Sequence, residues 1–375
     1  MDFTYSEEQR MLADSLRRFI DAEYGFEARR KSARGGGSLD RAVWKGLAEM
    51  GVLGLTIDSE YGGFGEGATS QLVVQRELGR GLVLEPVTPS SVMAAAVLGA
   101  YGSAAQKQDW LPAIAAGERI VTLAYLEPGT RYRPEAARAS ASRSGGGYVL
   151  NGTKSLAWHG EAADAFLLTA RVAGSDEIAL FLVPRDSAGL SVSGYPTMDG
   201  LRAADVKLAD VAVPADALVG QPGDGLAALD LGLSHGIAAL CAEAAGAMEK
   251  LIEITAEYLG TRQQFGKPLA AFQALQHRVA DMLVQKELAM SMAYVAAQAL
   301  DEADPAQRRR MLSAAKVTVA KAGRFVGQQA VQLHGGMGMT DELAVGDYFK
   351  RLTMIDPLLG DSDYHLQRYT QVMAA

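Results

Sequence analysis

The chain has 375 residues, of which 49% are hydrophobic and 21% charged, so it is long enough for two or three domains and too apolar for a disordered protein. Its formal net charge of -8 provides no basic field for nucleic acid or anionic lipid, which excludes those partners. Cys241 is the single cysteine, so an intrachain disulfide and a cysteine metal cluster are excluded and a reducing compartment is favoured. We expect a soluble cytoplasmic protein without membrane insertion, because the acidic N-terminus is unlike a signal peptide and no apolar run approaches the roughly 20 residues that span a bilayer.

Residues 1–118 are predicted to form an N-terminal α-helical domain. Apolar residues fall at helical spacing between Glu7 and Ile20, and Ser6 is placed to cap that helix. A glycine cluster at residues 35–37 interrupts the pattern. Further helices are predicted at residues 38–50, 69–82 and 89–98.

Residues 119–224 have a different character, with short β-rich runs separated by glycine, serine, aspartate and proline turns. This pattern predicts a middle domain that is a small antiparallel β-barrel or sandwich. The predicted strands are residues 121–125, 148–150, 166–171, 178–183 and 206–208.

Residues 225–375 return to the helical period in long segments, which predicts a C-terminal four-helix bundle and an α+β fold overall. The predicted helices are residues 226–262, 271–302, 305–333 and 364–373.

One motif suggests a serine esterase. Residues 232–236 fit the G-x-S-x-G nucleophile elbow, and His334-Gly-Gly-Met-Gly338 is similar to an oxyanion-hole loop. An elbow needs a sharp strand-to-helix turn, whereas residues 226–262 are predicted to be one helix. The esterase is therefore a remote alternative.

Two other kinds of site are not expected. Residues 63–68 fit the permissive G-x-G-x-x-A pattern of dinucleotide loops, but no βαβ rhythm follows, which favours a plain loop between helices. The five histidines show no metal-ligand spacing, so no metal site is predicted.

Several segments are suited to an anionic ligand. Arg262 offers a fork of donors that matches a pyrophosphate, and Gly335 and Gly336 allow close backbone approach. In isolation a surface ion pair and a helix-end turn are the favoured explanations of these residues. They belong, however, to an ordered series: Phe3-Thr-Tyr-Ser-Glu-Glu-Gln-Arg10, Glu60-Tyr-Gly-Gly63, Glu127-Pro-Gly129, Leu150-Asn-Gly-Thr-Lys154, Arg262-Gln-Gln-Phe-Gly266 with Phe272-Gln273, and Gln332-Leu-His-Gly-Gly336.

This series resembles the acyl-CoA dehydrogenase family from end to end, and it is most similar in character to the small subunit of pimeloyl-CoA dehydrogenase-type hetero-oligomers. The resemblance implies that FAD lies at the edge of the β domain while its pyrophosphate reaches a neighbouring subunit. The residues implied to grip a partner's FAD are Arg262, Phe265, Gln273, Gln332, Gly335 and Gly336.

The resemblance also implies that Leu126, Tyr132 and Trp158 touch the flavin bound by this chain. The family commonly has small hydroxyl residues at these places, so their replacement removes donors and adds bulk. Trp158 is alternatively a core or sheet-edge residue.

Acyl-CoA dehydrogenation, the activity implied, needs a carboxylate base for the proton α to the thioester. Alignment on Leu366-Gln-Arg368 places Asp361 where the family has its glutamate, and a helix N-cap is the alternative role. Glu243, on the first bundle helix, is the second candidate, with a buried ion pair or interface contact as its alternative.

Two hypotheses follow from the sequence. The chain is either a homodimeric or homotetrameric enzyme that oxidises an acyl-CoA and passes electrons to an electron-transfer flavoprotein, or a degenerate subunit of a heterotetramer. In the second case it completes the FAD site of a paralogous subunit.

Overall fold

The computed structural model describes residues 5–35 and 39–374, with side chains up to Gln371. The start of the motif at residues 3–10 and most of the glycine cluster at 35–37 lie outside these ranges. The chain divides into two compact units, one of Met1–Lys31, Ala68–Val83 and Ile237–Ala375, the other of Ser32–Gly67 and Leu84–Gly236. The predicted domain boundaries after residues 118 and 224 stay a prediction.

Within the described residues, six α-helices precede the sheet. Ser6 caps the first of them in a reciprocal capping box with Gln9, and Leu16 and Ile20 form its buried face. The predicted helix at 89–98 begins earlier, as a π-helical segment at Val87–Ala94 that continues into α5. The helices are α1 (Glu7–Glu23), α2 (Phe26–Arg34), α3 (Arg41–Glu49), α4 (Ala68–Gly81), α5 (Ala95–Tyr101) and α6 (Ala104–Ala115).

The second unit contains one eight-stranded sheet in the order β6-β7-β3-β2-β4-β5-β8, with β1 paired to β4. Most neighbours are antiparallel as predicted, but β4 pairs in parallel with both β1 and β2. The strands are β1 (Val121–Ala124), β2 (Ser140–Ser144), β3 (Gly147–Trp158), β4 (Ala165–Val172), β5 (Ile178–Pro184), β6 (Leu190–Pro196), β7 (Arg202–Pro214) and β8 (Leu218–Val219).

Strand β3 is much longer than the apolar run that predicted it. Its pairing with β7 shifts register between Leu150 and Gly152 and again between Lys154 and Ala157, the irregularity of β-bulges. The second shift places Leu156 at φ +55°. Bulges re-aim side chains, and here they interrupt the alternation of buried and more exposed residues along β3.

Five helices, not the predicted four, follow the sheet within the described residues. The helix that the sequence prediction missed, α10, is short, and its buried residues include Tyr348 and Arg351. The helices are α7 (Gly225–Thr261), α8 (Gln273–Gln298), α9 (Pro305–His334), α10 (Val345–Ile355) and α11 (Ser362–Ala374), with a hairpin of β9 (Gln263–Gln264) and β10 (Lys267–Pro268) after α7.

In the first unit α9 packs against α8, α10 and α11, while α4 and α7 approach closely at two glycines. A Cβ at Gly79 would lie 2.0 Å from the Glu243 carbonyl oxygen, and one at Gly246 would lie 1.9 Å from that of Arg76. Only glycine allows the two backbones to approach so closely. This close contact fixes the position of the Glu243 backbone relative to α4.

The structure also excludes the esterase elbow. Ser234 lies inside α7, and its hydroxyl donates to the Asp230 carbonyl oxygen at 2.7 Å, as in an ordinary helix. The G-x-G-x-x-A segment follows turns rather than a strand and leads into α4, as expected for a plain loop.

The segment Pro222–Thr261 is long and apolar enough to cross a bilayer by length and composition, which corrects the expectation that no such run exists. However, 67% of its most apolar window is buried inside the protein, as in the core helix of a bundle.

Candidate active site and cofactor clamp

The segment after α7 presents an aromatic ring to solvent. Between β9 and β10 the chain turns through Phe265 and Gly266, whose φ angles are +55° and +80°, as in the tight turns of two-residue hairpins. Phe265 is 90% exposed, and its ring meets that of Phe272 edge-on at a centroid distance of 6.1 Å. A strained, exposed aromatic residue is costly for an isolated chain and is typical of a surface that contacts something else.

Arg262 and Gln273 flank this hairpin and are exposed. Within the described residues, the Arg262 guanidinium makes no ion pair and no hydrogen bond, so its five donors remain available. Gln273 is the first residue of α8, where backbone N–H groups and the helix dipole favour an anion.

The end of α9 forms the second exposed segment. Gly335 follows the helix with φ +59° and ψ -137°, a backbone conformation that favours glycine. Gln332, Gly335 and Gly336 are exposed, and a Cβ at either glycine would meet no atom within 4 Å. The open space above these glycines leaves their backbone accessible to a ligand.

Tyr258 and His334 join the two segments. Their rings stack at a centroid distance of 4.4 Å, and the Tyr258 hydroxyl donates to the His334 carbonyl oxygen at 3.4 Å. His334 Nδ1 donates to the Ala330 carbonyl oxygen at 2.8 Å, and burial lowers the pKa of the ring. A neutral, fixed ring therefore holds the C-terminal ends of α7 and α9 together. We call residues 262–266, Gln273 and residues 332–336 the clamp.

Leu126 and Trp158 both lie where the segment of β1 runs beside β3 in the sheet unit. The Ser155 N–H donates to the Leu126 carbonyl oxygen at 2.9 Å, and the Thr122 hydroxyl donates to that of Trp158 at 2.7 Å. Both side chains are half-buried, as is that of Tyr132 in the loop after β1. Leu126 and Trp158 therefore belong to the same pair of neighbouring segments, while Tyr132 is separated from Leu126 by a turn at residues 128–132.

A buried ion pair supports this region. Lys154 is fully buried, and its Nζ lies 2.5 Å from Glu127 Oε1 and 3.1 Å from the Thr169 hydroxyl. The N–H groups of Arg138 and Ala139 donate to the same carboxylate at 2.7 and 3.1 Å. Burial is the largest single influence and raises the pKa of Glu127, but the hydrogen bond and charge of Lys154 together with the two backbone N–H groups lower it by more, so the net direction is down. The sequence motifs contain Glu127 and Lys154, but the sequence did not predict that they pair. The ion pair fixes the loop after Leu126 to β3.

Asp361 caps α11. Its Oδ1 accepts the Tyr364 N–H at 2.8 Å, the bond of a helix N-cap. The residue is partly exposed, and its Oδ2 accepts no hydrogen bond from the described residues. Capping and proton abstraction are therefore compatible, because each needs only one of the two oxygens.

Glu243 is bound on both oxygens. Arg351 Nε lies 2.5 Å from Oε1 and Nη2 lies 2.9 Å from Oε2, and both residues are buried. A bidentate guanidinium occupies the lone pairs that a catalytic base would need. The contact is the alternative weighed for this residue, a buried ion pair, and its partner Arg351 gave no signal in the sequence.

Three models of known domain families match consecutive parts of the chain. Residues 6–118, 122–211 and 223–374 match the N-terminal, middle and C-terminal domains of acyl-CoA dehydrogenase, respectively. The chain belongs to the acyl-CoA dehydrogenase family. Its function is therefore flavin-dependent dehydrogenation of acyl-CoA thioesters, and the predicted family, fold class and enzyme class are confirmed.

Individual family members agree with this assignment. The acyl-CoA dehydrogenase fadE12 of Mycobacterium tuberculosis is 30% identical over 367 residues, covering 95% of this chain and 94% of that protein. The ChsE4-ChsE5 complex of the same organism contains a chain with 28% identity and a TM-score of 0.90, covering 100% of this chain and 99% of that one. A glutaryl-CoA dehydrogenase from Mycobacterium smegmatis in complex with FADH2 has 26% identity and a TM-score of 0.90, covering 98% and 95%.

The residues present fit the flavin cofactor of the acyl-CoA dehydrogenases. The clamp combines a guanidinium that is unpaired among the described residues, open space at two glycines and an exposed aromatic ring, a set suited to a pyrophosphate attached to a planar base. Trp158 adds an aromatic face in the sheet unit.

Proposed function

We propose that this chain oxidises an acyl-CoA to the trans-2-enoyl thioester with Asp361 as the base. The observation that carries the proposal is the state of its carboxylate, which uses Oδ1 to cap α11 and leaves Oδ2 unbonded among the described residues. Glu243 is not chosen, because Arg351 binds both of its oxygens.

In this mechanism Asp361 Oδ2 takes the proton α to the thioester. FAD, when bound, supplies the acceptor for the hydride that leaves the β-carbon. The Tyr364 N–H keeps Oδ1 in place, so the carboxylate is oriented before substrate arrives, which reduces the cost of reaching the transition state. Aspartate is one methylene shorter than the glutamate common in the family, and the substrate's α-carbon has to approach the turn correspondingly closer.

We further propose that the cofactor is FAD and that it is shared between subunits. The Arg262 guanidinium and the Gln332 side chain are exposed and make no hydrogen bond within the described residues, and the space above Gly335 and Gly336 is open, which suits a pyrophosphate held by a neighbouring copy or paralogue. Leu126 and Trp158 would face the flavin of this chain's own sheet unit. Electron delivery to an electron-transfer flavoprotein and a cytoplasmic location belong to the same proposal.

Asp361→Asn tests the base. Asparagine caps helices as well as aspartate does, so the melting temperature should stay unchanged while the rate of flavin reduction by acyl-CoA falls roughly 10²- to 10⁴-fold. The matched control is Asp363→Asn, since Asp363 is exposed on the first turn of α11. Equal rates for Asp361→Asn and the wild type, with FAD bound in both, would show that another group is the base.

A second candidate function, the subunit that completes a paralogue's FAD site, is favoured by the side chains in the sheet unit. Leu126 and Trp158 offer no hydroxyl donor where the family commonly has one, whereas the clamp is intact. That the ChsE4-ChsE5 structure is a complex of two differently named chains makes a paralogous partner a concrete option.

An absorbance spectrum separates the two candidates. The homo-oligomeric enzyme predicts a yellow protein with about one FAD per chain and acyl-CoA-dependent bleaching. The completing subunit predicts a colourless chain that becomes yellow and active only when purified with a paralogue, with Asp361→Asn leaving that activity unchanged.

A further inference from the structure

The turn that carries Asp361 is held from inside the helical unit. We call residues 356–361 the catalytic turn; it connects the end of α10 with the start of α11. Asp356 closes it, because its Oδ1 accepts the N–H and the hydroxyl of Ser362 at 3.0 and 2.7 Å, and Arg324 Nη2 lies 2.8 Å from its Oδ2. These bonds fix the two ends of the turn to each other.

Lys316 on α9 contacts the same turn from the interior of the helical unit. Its side chain is fully buried, and its Nζ donates to the carbonyl oxygens of Asp356 at 2.7 Å and Gly360 at 2.8 Å. One ammonium therefore bridges the first and the fifth residue of the six-residue turn. A buried lysine bonded to carbonyls rather than to a carboxylate is rare, because burial of a charge is costly.

His365 binds the carbonyl group of Leu359, which lies between Asp356 and Gly360 in the turn. Its ring is fully buried; Nε2 lies 3.0 Å from the Leu359 carbonyl oxygen and Nδ1 lies 3.2 Å from the Ser313 hydroxyl. Since a carbonyl only accepts, Nε2 carries the proton and the Ser313 hydroxyl donates to Nδ1. Ser313 and Lys316 are three residues apart on α9 and so lie on one face of that helix.

The backbone of the turn is shaped around these contacts. Leu359 has φ +58° and Gly360 has φ +108°, and a Cβ at Gly360 would lie 2.5 Å from Tyr364 and 2.6 Å from His365 Nε2. Glycine at 360 is therefore required by the ring beside it. Leu359 lies two residues before the candidate base and has a strained backbone conformation. Such a conformation persists only when the surrounding contacts determine it.

We propose that Lys316 and His365 are positioning residues, which fix the catalytic turn and so aim the Asp361 carboxylate. The inference rests on the proposed function, in which Asp361 is the base. Lys316 acts by holding Gly360, the residue directly before Asp361, and His365 acts by holding Leu359.

Lys316 has a second effect through its charge. Burial lowers its pKa to about 8, so the ammonium is still mostly charged at neutral pH, and its charge attracts those of Asp356 and Asp361. A nearby cation favours the ionised form of a carboxylate and lowers the pH at which the base becomes active. The titratable and charged groups facing this cluster are Cys241 on α7, Arg324 on α9, Asp356 and Asp361 in the turn, and Arg368 on α11.

The test compares Lys316→Met with Lys321→Met in the flavin-loaded protein. Both changes remove one ammonium from α9, but Lys321 is exposed. We expect Lys316→Met to lower kcat by about 10- to 100-fold with KM unchanged, since misplacing a reacting group by about 1 Å costs a factor of this size. The acid limb of the kcat profile should move to higher pH, and amide exchange at residues 357–361 should accelerate. Lys321→Met should match the wild type.

The contrary results are distinct. Unchanged kcat and an unchanged acid limb in folded Lys316→Met would overturn the positioning role. If Lys316→Met does not fold, Ser313→Ala decides instead, because it removes only the hydroxyl that bonds His365; lowered kcat with unchanged KM supports the proposal, and wild-type kcat overturns it. An active Asp361→Asn variant marks failure of the proposed function, whereas an inactive one with normal Lys316→Met marks failure of this inference alone.

Discussion

The clamp and the catalytic turn use the same kinds of polar group in opposite environments. In the clamp, Arg262 and Gln332 are exposed and lie beside accessible glycine backbone. In the catalytic turn, Lys316 and His365 are fully buried and bind carbonyl oxygens of the chain itself. In the proposed function, donors that face outward bind a ligand from outside the chain, and donors that face inward orient one of its own residues.

Energetics explains why the two regions differ. A buried charge that is not paired costs several kcal/mol, so it persists only where its contacts are needed, as with Lys316 in this fold. An exposed arginine costs almost nothing until a ligand arrives. Changes in the buried region should therefore alter stability or rate, while changes in the clamp should alter cofactor binding with little effect on the fold.

The largest effect is expected for Glu243→Gln, which leaves the buried Arg351 charge without its carboxylate. The free energy of unfolding should fall by about 3 to 5 kcal/mol, measured by urea denaturation. The control, Glu253→Gln, affects a half-exposed carboxylate paired with Arg80 and should cost less than about 1 kcal/mol. The kcat of folded Glu243→Gln should equal the wild type; a loss of several hundred-fold would instead restore Glu243 as a base.

The next effect is a dependence of stability on pH. Burial and then the charge of Lys316 lower the pKa of His365 to about 3, against an unfolded value near 6.5. The unfolded chain therefore binds more protons between these values, and stability falls as pH drops from about 6.5 towards 3. His365 should contribute roughly 3 to 5 kcal/mol to this loss. The slope should be reduced in His365→Gln and retained in His277→Gln, where the ring is exposed.

Arg262→Ala should weaken FAD binding without affecting the fold. Loss of a charge-assisted contact of about 1.5 to 3 kcal/mol corresponds to roughly 10- to 150-fold weaker retention in the assembled protein. Flavin release during dialysis measures it. Arg278→Ala, at an exposed site on α8, is the control; equal flavin loss in both variants would show that the clamp does not contact the cofactor.

The smallest effect concerns Phe265, which has φ +55° and is 90% exposed. Phe265→Asn should raise the free energy of unfolding by about 0.5 kcal/mol, because asparagine before glycine is favoured in this turn. The same change should weaken flavin retention or subunit association. Val284→Asn removes another exposed apolar side chain but in a helical backbone, so it should give no gain; a loss of stability in Phe265→Asn would contradict the strain argument.

The comparison also shows how far sequence reasoning reached. The clamp was predicted because its segments belong to an ordered series of motifs that resembles a known family. Asp361 was identified by alignment on a neighbouring motif. The supporting contacts were missed: Arg351 lies 108 residues from Glu243, and Lys316 lies 44 residues from the carbonyl of Gly360 that it binds.

In the fold, the long apolar periods of α7, α8 and α9 were sufficient to place those helices to within a few residues. Strands β2, β6 and β8 were missed because they are short or largely exposed. The parallel pairings of β4 with β1 and β2 could not be predicted from the sequence of each strand, since strand partners are determined by contacts between residues distant in sequence.

The sequence by itself determined the family and the α, β, α order, because these depend on local period and on an ordered series of motifs, while the cofactor role of the clamp stays a prediction. Only the tertiary structure distinguishes the surroundings of the two candidate bases, since both are carboxylates in suitable local contexts. Glu243 is neutralised by a distant arginine, whereas Asp361 keeps one oxygen unbonded among the described residues and lies on a turn fixed by a buried lysine. The availability of a carboxylate depends on the charges that folding places around it.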